Sequence, residues 1–380
     1  MQILAQLLAA HPINSGGFSW TDAYVVAGQP ISYASPSGNR QVIDSPVSEA
    51  DIHELVKSLT SKALSEGNAD AQADLDAGAL KVADEIESMN DSSQGIRLRF
   101  TVSKAMVPGG FQITVRPVPL KPPTIDGLQV AIPLLREMVQ SSGIILVTGP
   151  TRNGKSTLLA ALVEEARTCG AYGHIVKVED PIEFIHPSSN RCIVTPREIG
   201  KHVRSYETAA QDALRMGPGA IAFGEIRDAE SAIATINVGE AGHMVMATMQ
   251  STTVEGAYNK LMVLTAEHRG AKDAINGALR AIIRTCLVPS MDGLSFHLGY
   301  EYVTASDPSE GIFGRGGPDD FRASHMAGNY ANSAKTLNES LLKLVREGKV
   351  SETAAMMASN EKQRLRELLS PTSSGVRMRN

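Results

Sequence analysis

Lys155 and Ser156 close the stretch Gly149-Pro-Thr-Arg-Asn-Gly-Lys-Ser156, and their types and spacing fit one chemistry. In the pattern G-x-x-x-x-G-K-[ST], the glycines let backbone N–H groups curl around phosphate oxygens, the lysine reaches the β- and γ-phosphates and the hydroxyl holds Mg2+. Gly149, Pro150, Thr151, Arg152, Asn153, Gly154, Lys155, Ser156 and Thr157 are therefore the expected nucleotide-binding residues. Carboxylates follow in chain order: Glu179-Asp-Pro-Ile-Glu183, then Glu225 in Gly224-Glu-Ile-Arg-Asp228. One can orient attacking water as a general base while another holds the metal together with Ser156, the Mg2+ ligand expected from the loop pattern. His243, in Gly242-His-Met-Val-Met-Ala-Thr248, reads either as a hydrogen-bonded core histidine or as a sensor of the γ-phosphate.

Such residues need rigid elements behind them. Ile144 to Val147 read as a buried parallel strand, and Leu158, Leu159, Leu162 and Val163 recur at helical spacing after the loop. His174 to Val178, Ala220 to Phe223 and His243 to Thr248 are further strands with helices between them. That alternation predicts a mostly parallel α/β sheet with phosphates at its carboxyl edge.

Upstream, Phe18 to Val26, Ile31 to Val42, Ala79 to Met89, Gly95 to Val102 and Phe111 to Val115 read as strands, with turns at Ser35 to Gly38 and Asn90 to Ser93. Ser48 and Asp51 start a helix whose apolar face is Ile52, Leu55, Val56 and Leu59. Residues 1–115 thus form a small α+β domain, with Arg97, Arg99 and Arg116 alternating with apolar neighbours on its strands. Residues 116–124, with four prolines, form an extended connector. The α/β core spans 125–300, and 301–380 hold a loop around Gly311 to Gly317 and a helical tail.

The 380 residues carry 36 basic and 41 acidic side chains, so no global field favours nucleic acid. Aromatic residues make up 4%, too few for a base-stacking path, which argues against a DNA-translocating ATPase. No Asn-Lys-x-Asp element supports a signalling GTPase; Ser333-Ala-Lys335 is only a faint echo of a guanine contact. Three cysteines without a C-x-x-C pair fit a reducing compartment. The apolar opening Met1 to Ala10 is too short to span a bilayer and has no basic flank.

Taken together, the motifs resemble those of the secretion ATPase superfamily, which drives type IV pili and type II and type IV secretion. Residues 149–156 are similar to its Walker A, 178–184 to its Asp box, 224–228 to its Walker B and 241–248 to its His box. Chain length and the proline connector look most like the DotB/TraJ ATPases of type IVB secretion and conjugation, with pilus retraction motors second. The resemblance implies a RecA-like P-loop ATPase domain behind a small PAS-like α+β domain, and ATP and Mg2+ as cofactors. It further implies a cytoplasmic homohexamer, held at the inner membrane through secretion, conjugation or pilus components, with no sequence-specific nucleic-acid binding.

By the same resemblance Glu225 is the Walker B carboxylate that holds Mg2+ with Ser156, and Glu179 is the general base with Glu183 its substitute. Arg99 and Arg116, then Arg97, would reach the γ-phosphate, while Arg215 and Arg227 would support the site. Two departures stand out: the His box ends Thr248-Met-Gln250 where a second histidine is usual, and Thr101 stands where related strands often have another arginine. Gln250 keeps open a scaffold that binds ATP and turns it over slowly.

Overall fold

The computed structural model describes residues 21–34, 40–65, 68, 70–77, 80–86, 96–119, 121–305 and 334–370. The expected features at 1–15, Ser35 to Gly38, Asn90 to Ser93 and Gly311 to Gly317, and Ser333, lie outside the described residues.

The first domain is a six-stranded antiparallel sheet in the order β3-β2-β1-β6-β5-β4. Its strands are β1 Asp22–Val26, β2 Pro30–Ala34, β3 Arg40–Pro46, β4 Leu80–Ile86, β5 Ile96–Lys104 and β6 Phe111–Pro119. Helix α1, Glu49–Ser65, begins where Ser48 accepts from the Asp51 amide at 3.1 Å, the cap expected from sequence. Its buried face of Ile52, Leu55, Val56 and Leu59 joins Val25, Phe100 and Ile113 in one core. A short helix α2, Ala71–Asp76, follows.

The connector begins later than expected. Strand β6 continues through Pro117 and Pro119, opposite Leu98 and Ile96 of β5. Both prolines lie past Val115, the last β6 residue paired to β1, so β6 is an edge there and a missing N–H costs no ladder bond.

The second sheet has eight strands in the order β14-β13-β12-β7-β11-β10-β8-β9. Strands β7 Gly143–Gly149, β8 His174–Glu179, β9 Ile193–Glu198, β10 Ala220–Ile226, β11 Met244–Gln250 and β12 Leu279–Pro289 run parallel. Strands β13 Phe296–Thr304 and β14 Ala334–Lys335 are antiparallel additions at the β12 edge. The sheet therefore extends beyond residue 300, where a loop and helical region were expected. Helix α3 Leu135–Val139 leads into β7, and α4 Lys155–Cys169, α5 Tyr206–Arg215, α6 Ala229–Glu240, α7 Val254–Leu264 and α8 Ala271–Ala278 connect the strands that follow. Three tail helices, α9 Leu337–Arg346, α10 Glu352–Ala358 and α11 Lys362–Leu369, pack a separate apolar cluster on Cys286 and Val288 of β12. Among the described residues no helix is long and apolar enough to cross a membrane.

Candidate functional site

Strand β7 is buried along its whole length and delivers the chain to the carboxyl edge of the sheet at Gly149. Gly149 has φ +148°, and a β-carbon there would stand 2.6 Å from the Thr285 carbonyl oxygen of β12. Only glycine lets the loop leave the strand so close to its neighbour. The Leu287 N–H donates to Asn153 Oδ1 at 3.0 Å and the Thr285 hydroxyl to the Thr148 carbonyl at 3.2 Å, so β12 braces the loop from both ends. Gly154, at φ +83°, turns the chain into α4. Arg152 also sits in the left-handed region, at φ +64°, at a cost of about 1 kcal/mol for a residue with a β-carbon.

Lys155 opens α4 and its ammonium donates to the Pro150 carbonyl at 2.8 Å. Burial pushes its pKa below the ordinary lysine value, against the opposing fields of Glu225 and Glu183. Those two carboxylates are thus the acidic neighbours of the P-loop lysine. An ammonium, a helix N-terminus with Ser156 and Thr157 in its first turn, and two facing carboxylates form a donor set suited to a triphosphate with a divalent cation.

Glu179 and Glu183 lie in different surroundings. Glu179 is 4% exposed, and its Oε2 accepts from Lys177 Nζ at 2.7 Å and from the Glu183 amide at 3.2 Å. Burial raises its pKa against the pull of the Lys177 ammonium, which is itself 1% exposed and also donates to the Phe184 carbonyl. This pair holds the Asp-box loop from inside. Glu183 is about one-fifth exposed and binds the guanidinium of Arg99 from the small domain at 2.5 Å.

Glu225, near the end of β10, receives Gln250 Nε2 on one oxygen and Arg227 Nε on the other, both at 2.7 Å. Arg227 also reaches Asp180 at 3.3 Å, linking the Walker B and Asp-box loops. His243 is elsewhere. It precedes β11, and in the parallel pairing Met244 faces Gly143 while Gln250 faces Gly149. Seven residues of strand, at about 3.3 Å each, put His243 roughly 20 Å from the phosphate loop. The histidine caps the opposite edge of the sheet, and the residue beside Glu225 is Gln250. Arg215 is likewise removed from the site: it ends α5 before β10 begins, with its side chain 81% exposed.

Arg99 and Arg116 are direct partners across β5 and β6. Arg116 donates to Asp22 Oδ1 through Nε and Nη2, at 3.2 and 3.0 Å. Arg97 shares β5, but its side chain lies outside the described residues. Nothing in the sequence singled out Asp22, because an acidic residue opening a strand carries no signal until strand pairing sets it beside Arg116. Val118 at the end of β6 packs with Ala160 of α4 and Phe184 of the Asp-box loop, so the lobes also meet through apolar contact.

Next to the loop is a cavity of about 260 Å³ bounded by Gly154, Thr157, Leu287, Leu298, Tyr300 and Lys335. The Lys335 ammonium stands 4.6 Å over the Tyr300 ring. Lys343, Glu347 and Lys349 also line the cavity, so charged side chains and apolar walls share it.

A family model described as "Type II/IV secretion system protein" matches residues 129–370. The type IV pilus retraction ATPase PilT of Pseudomonas aeruginosa is 32% identical over 197 residues, which cover 51% of this chain and 57% of that protein's length. The structure of the Legionella pneumophila ATPase DotB aligns over 94% of both chains, with a TM-score of 0.70 and 22% identity. That of the pilus retraction motor PilT with bound ADP aligns over 96% of this chain and 98% of the other, with a TM-score of 0.73 and 23% identity. These structural likenesses show a shared RecA-like fold with a small preceding domain.

Proposed function

This chain belongs to the type II/IV secretion system protein family, and we propose that it is a Mg2+-dependent ATPase that performs mechanical work on a membrane-bound pilus or secretion apparatus. The observation that carries this reading is the convergence of Lys155, Glu225, Glu183 and the small-domain Arg99 at one end of the sheet. Of the finer readings, the pilus retraction motor is favoured by the relative of 32% identity. Type IVB-like coupling, which chain length and the proline connector suggested, has support from the DotB likeness in fold alone. A homohexameric ring bound to the inner membrane from the cytoplasmic side through partners belongs to the same proposal.

In this proposal the backbone of residues 149–157 and Lys155 would hold the triphosphate, while Ser156 and Glu225 would hold Mg2+. Mg2+, when bound, draws negative charge off the phosphate oxygens. Glu183, exposed enough to meet water, takes the proton of the attacking water, replacing Glu179 in that role because Glu179 is committed to Lys177. Arg99 exchanges Glu183 for the phosphoryl group, drawing the small domain toward the core; loss of the terminal phosphate returns it. Gln250 and Arg227 orient Glu225.

The test is ATP turnover by the purified chain in Mg2+ and in excess chelator. Turnover that requires Mg2+ and is lost in Glu225→Gln supports the proposal; magnesium-independent hydrolysis, or none in the wild type, refutes it.

A further inference from the structure

Asp22 is 2% exposed, and its Oδ1 faces two guanidinium groups. One is Arg116 on the neighbouring strand at 3.0 Å; the other is Arg152 of the P-loop at 3.4 Å. The Tyr24 side chain, two residues further along β1, also interacts with the Arg152 guanidinium. A side chain at the tip of the phosphate loop is therefore anchored in the small domain, beside the strand that carries Arg116.

The backbone of Arg152 adds an independent observation. Its φ of +64° is one that glycine adopts freely and arginine does not. Backbone strain of this kind persists only where the surrounding structure over-determines it, and it clusters at ligand clamps and switch regions.

We propose that Arg152 and Asp22 are positioning residues that couple the P-loop to the small domain, the shared carboxylate making the placement of Arg116 and its partner Arg99 follow the conformation of the loop. This rests on the nucleotide reading of that loop. A loop that rearranges around phosphate moves the Arg152 backbone, and the guanidinium carries that movement to Asp22. Asp22 then holds Arg116 in one arrangement with Arg152 and in another without it. Loop occupancy is thereby converted into a displacement of the small domain before any bond is cleaved.

The experiment places spin labels on Cys169, exposed at the end of α4, and on Lys57→Cys in α1, with labelled chain diluted in unlabelled chain. Distances are measured with and without ADP or a non-hydrolysable ATP analogue, and affinity is measured with a fluorescent ADP. The wild type should show a nucleotide-dependent distance change. Asp22→Asn and Arg152→Gly should each lose most of it and reduce turnover roughly fivefold, with affinity kept within about threefold. The double variant should be no worse than either single one. Arg152→Gly should melt no lower than wild type, which guards against loss of fold in Asp22→Asn. A full distance change in both variants, or additive losses in the double variant, overturns the coupling. A wild type that binds nucleotide without any distance change overturns it too, while leaving the nucleotide reading standing. A wild type that binds no nucleotide removes both.

Discussion

Arg99 of the small domain and Glu183 of the Asp-box loop form a direct ion pair between the two lobes, each side chain about one-fifth exposed. The pair joins the cation proposed to meet the terminal phosphate with the carboxylate proposed to activate water. Each occupies the other until a substrate competes.

Glu183→Gln should therefore keep the fold and ATP binding and lower kcat by about 10²-fold or more, the usual contribution of a general base. Glu179→Gln should instead lower the melting temperature, because it leaves the Lys177 ammonium buried without its counter-charge, at a cost of about 3 kcal/mol. Single-turnover kinetics and thermal melts on the two variants check this. Normal stability with lost turnover in Glu179→Gln would return the role to Glu179.

Glu225→Gln should bind ATP and fail to hydrolyse it, whereas Lys155→Ala should lose both binding and hydrolysis. Equilibrium binding of a fluorescent nucleotide separates the two, and ordinary hydrolysis by Glu225→Gln would contradict the role given to that carboxylate.

Gln250 donates to Glu225 through an amide that does not titrate. Gln250→Ala should cost about tenfold in kcat, the worth of a hydrogen bond to a charged group. Gln250→His should restore a donor whose charge depends on pH, with a pKa near about 6.5 in the absence of other influences. The kcat–pH profile of that variant should gain an inflection near neutrality that the wild type lacks. Identical profiles would show that residue 250 does not act on Glu225.

Beneath the site, Glu164 of α4 binds Arg167 and His186, all three largely buried. Burial alone would raise the Glu164 carboxyl, but hydrogen bonds from Arg167 and His186 outweigh it and hold the pKa down at about 2. A folded-state value below the unfolded value of 4.5 gives stability that is complete above about pH 4.5 and lost as pH falls through about 2. Glu164→Gln should lower stability at neutral pH and flatten the acid limb of the stability curve over that interval, measured by urea unfolding. An unchanged acid limb would place its origin in other carboxylates.

Several elements were legible because local patterns agreed with their tertiary fate. The period change across the P-loop, the Ser48 cap and the apolar face of α1 each depend on neighbours a few residues away. Strand β12 was not legible: Arg280 and Arg284 interrupt its apolar run, yet both are buried in the sheet. Arg284 is 3% exposed because Glu301 of β13 and Asn360 beyond α10 supply its partners, 17 and 76 residues away. No window around β12 contains them.

From its residues alone this chain declared a phosphate loop, the order of its acidic motifs and two lobes joined through prolines, since glycine spacing, charge type and proline geometry are properties of short segments. Which carboxylate faces water, which faces a lysine, and which end of β11 meets the phosphate loop came only with the fold. Strand direction and register fix those distances. The same packing that buries Glu179 leaves Glu183 open, set Gln250 rather than His243 beside Glu225, and brought Asp22 within reach of Arg152, 130 residues along the chain.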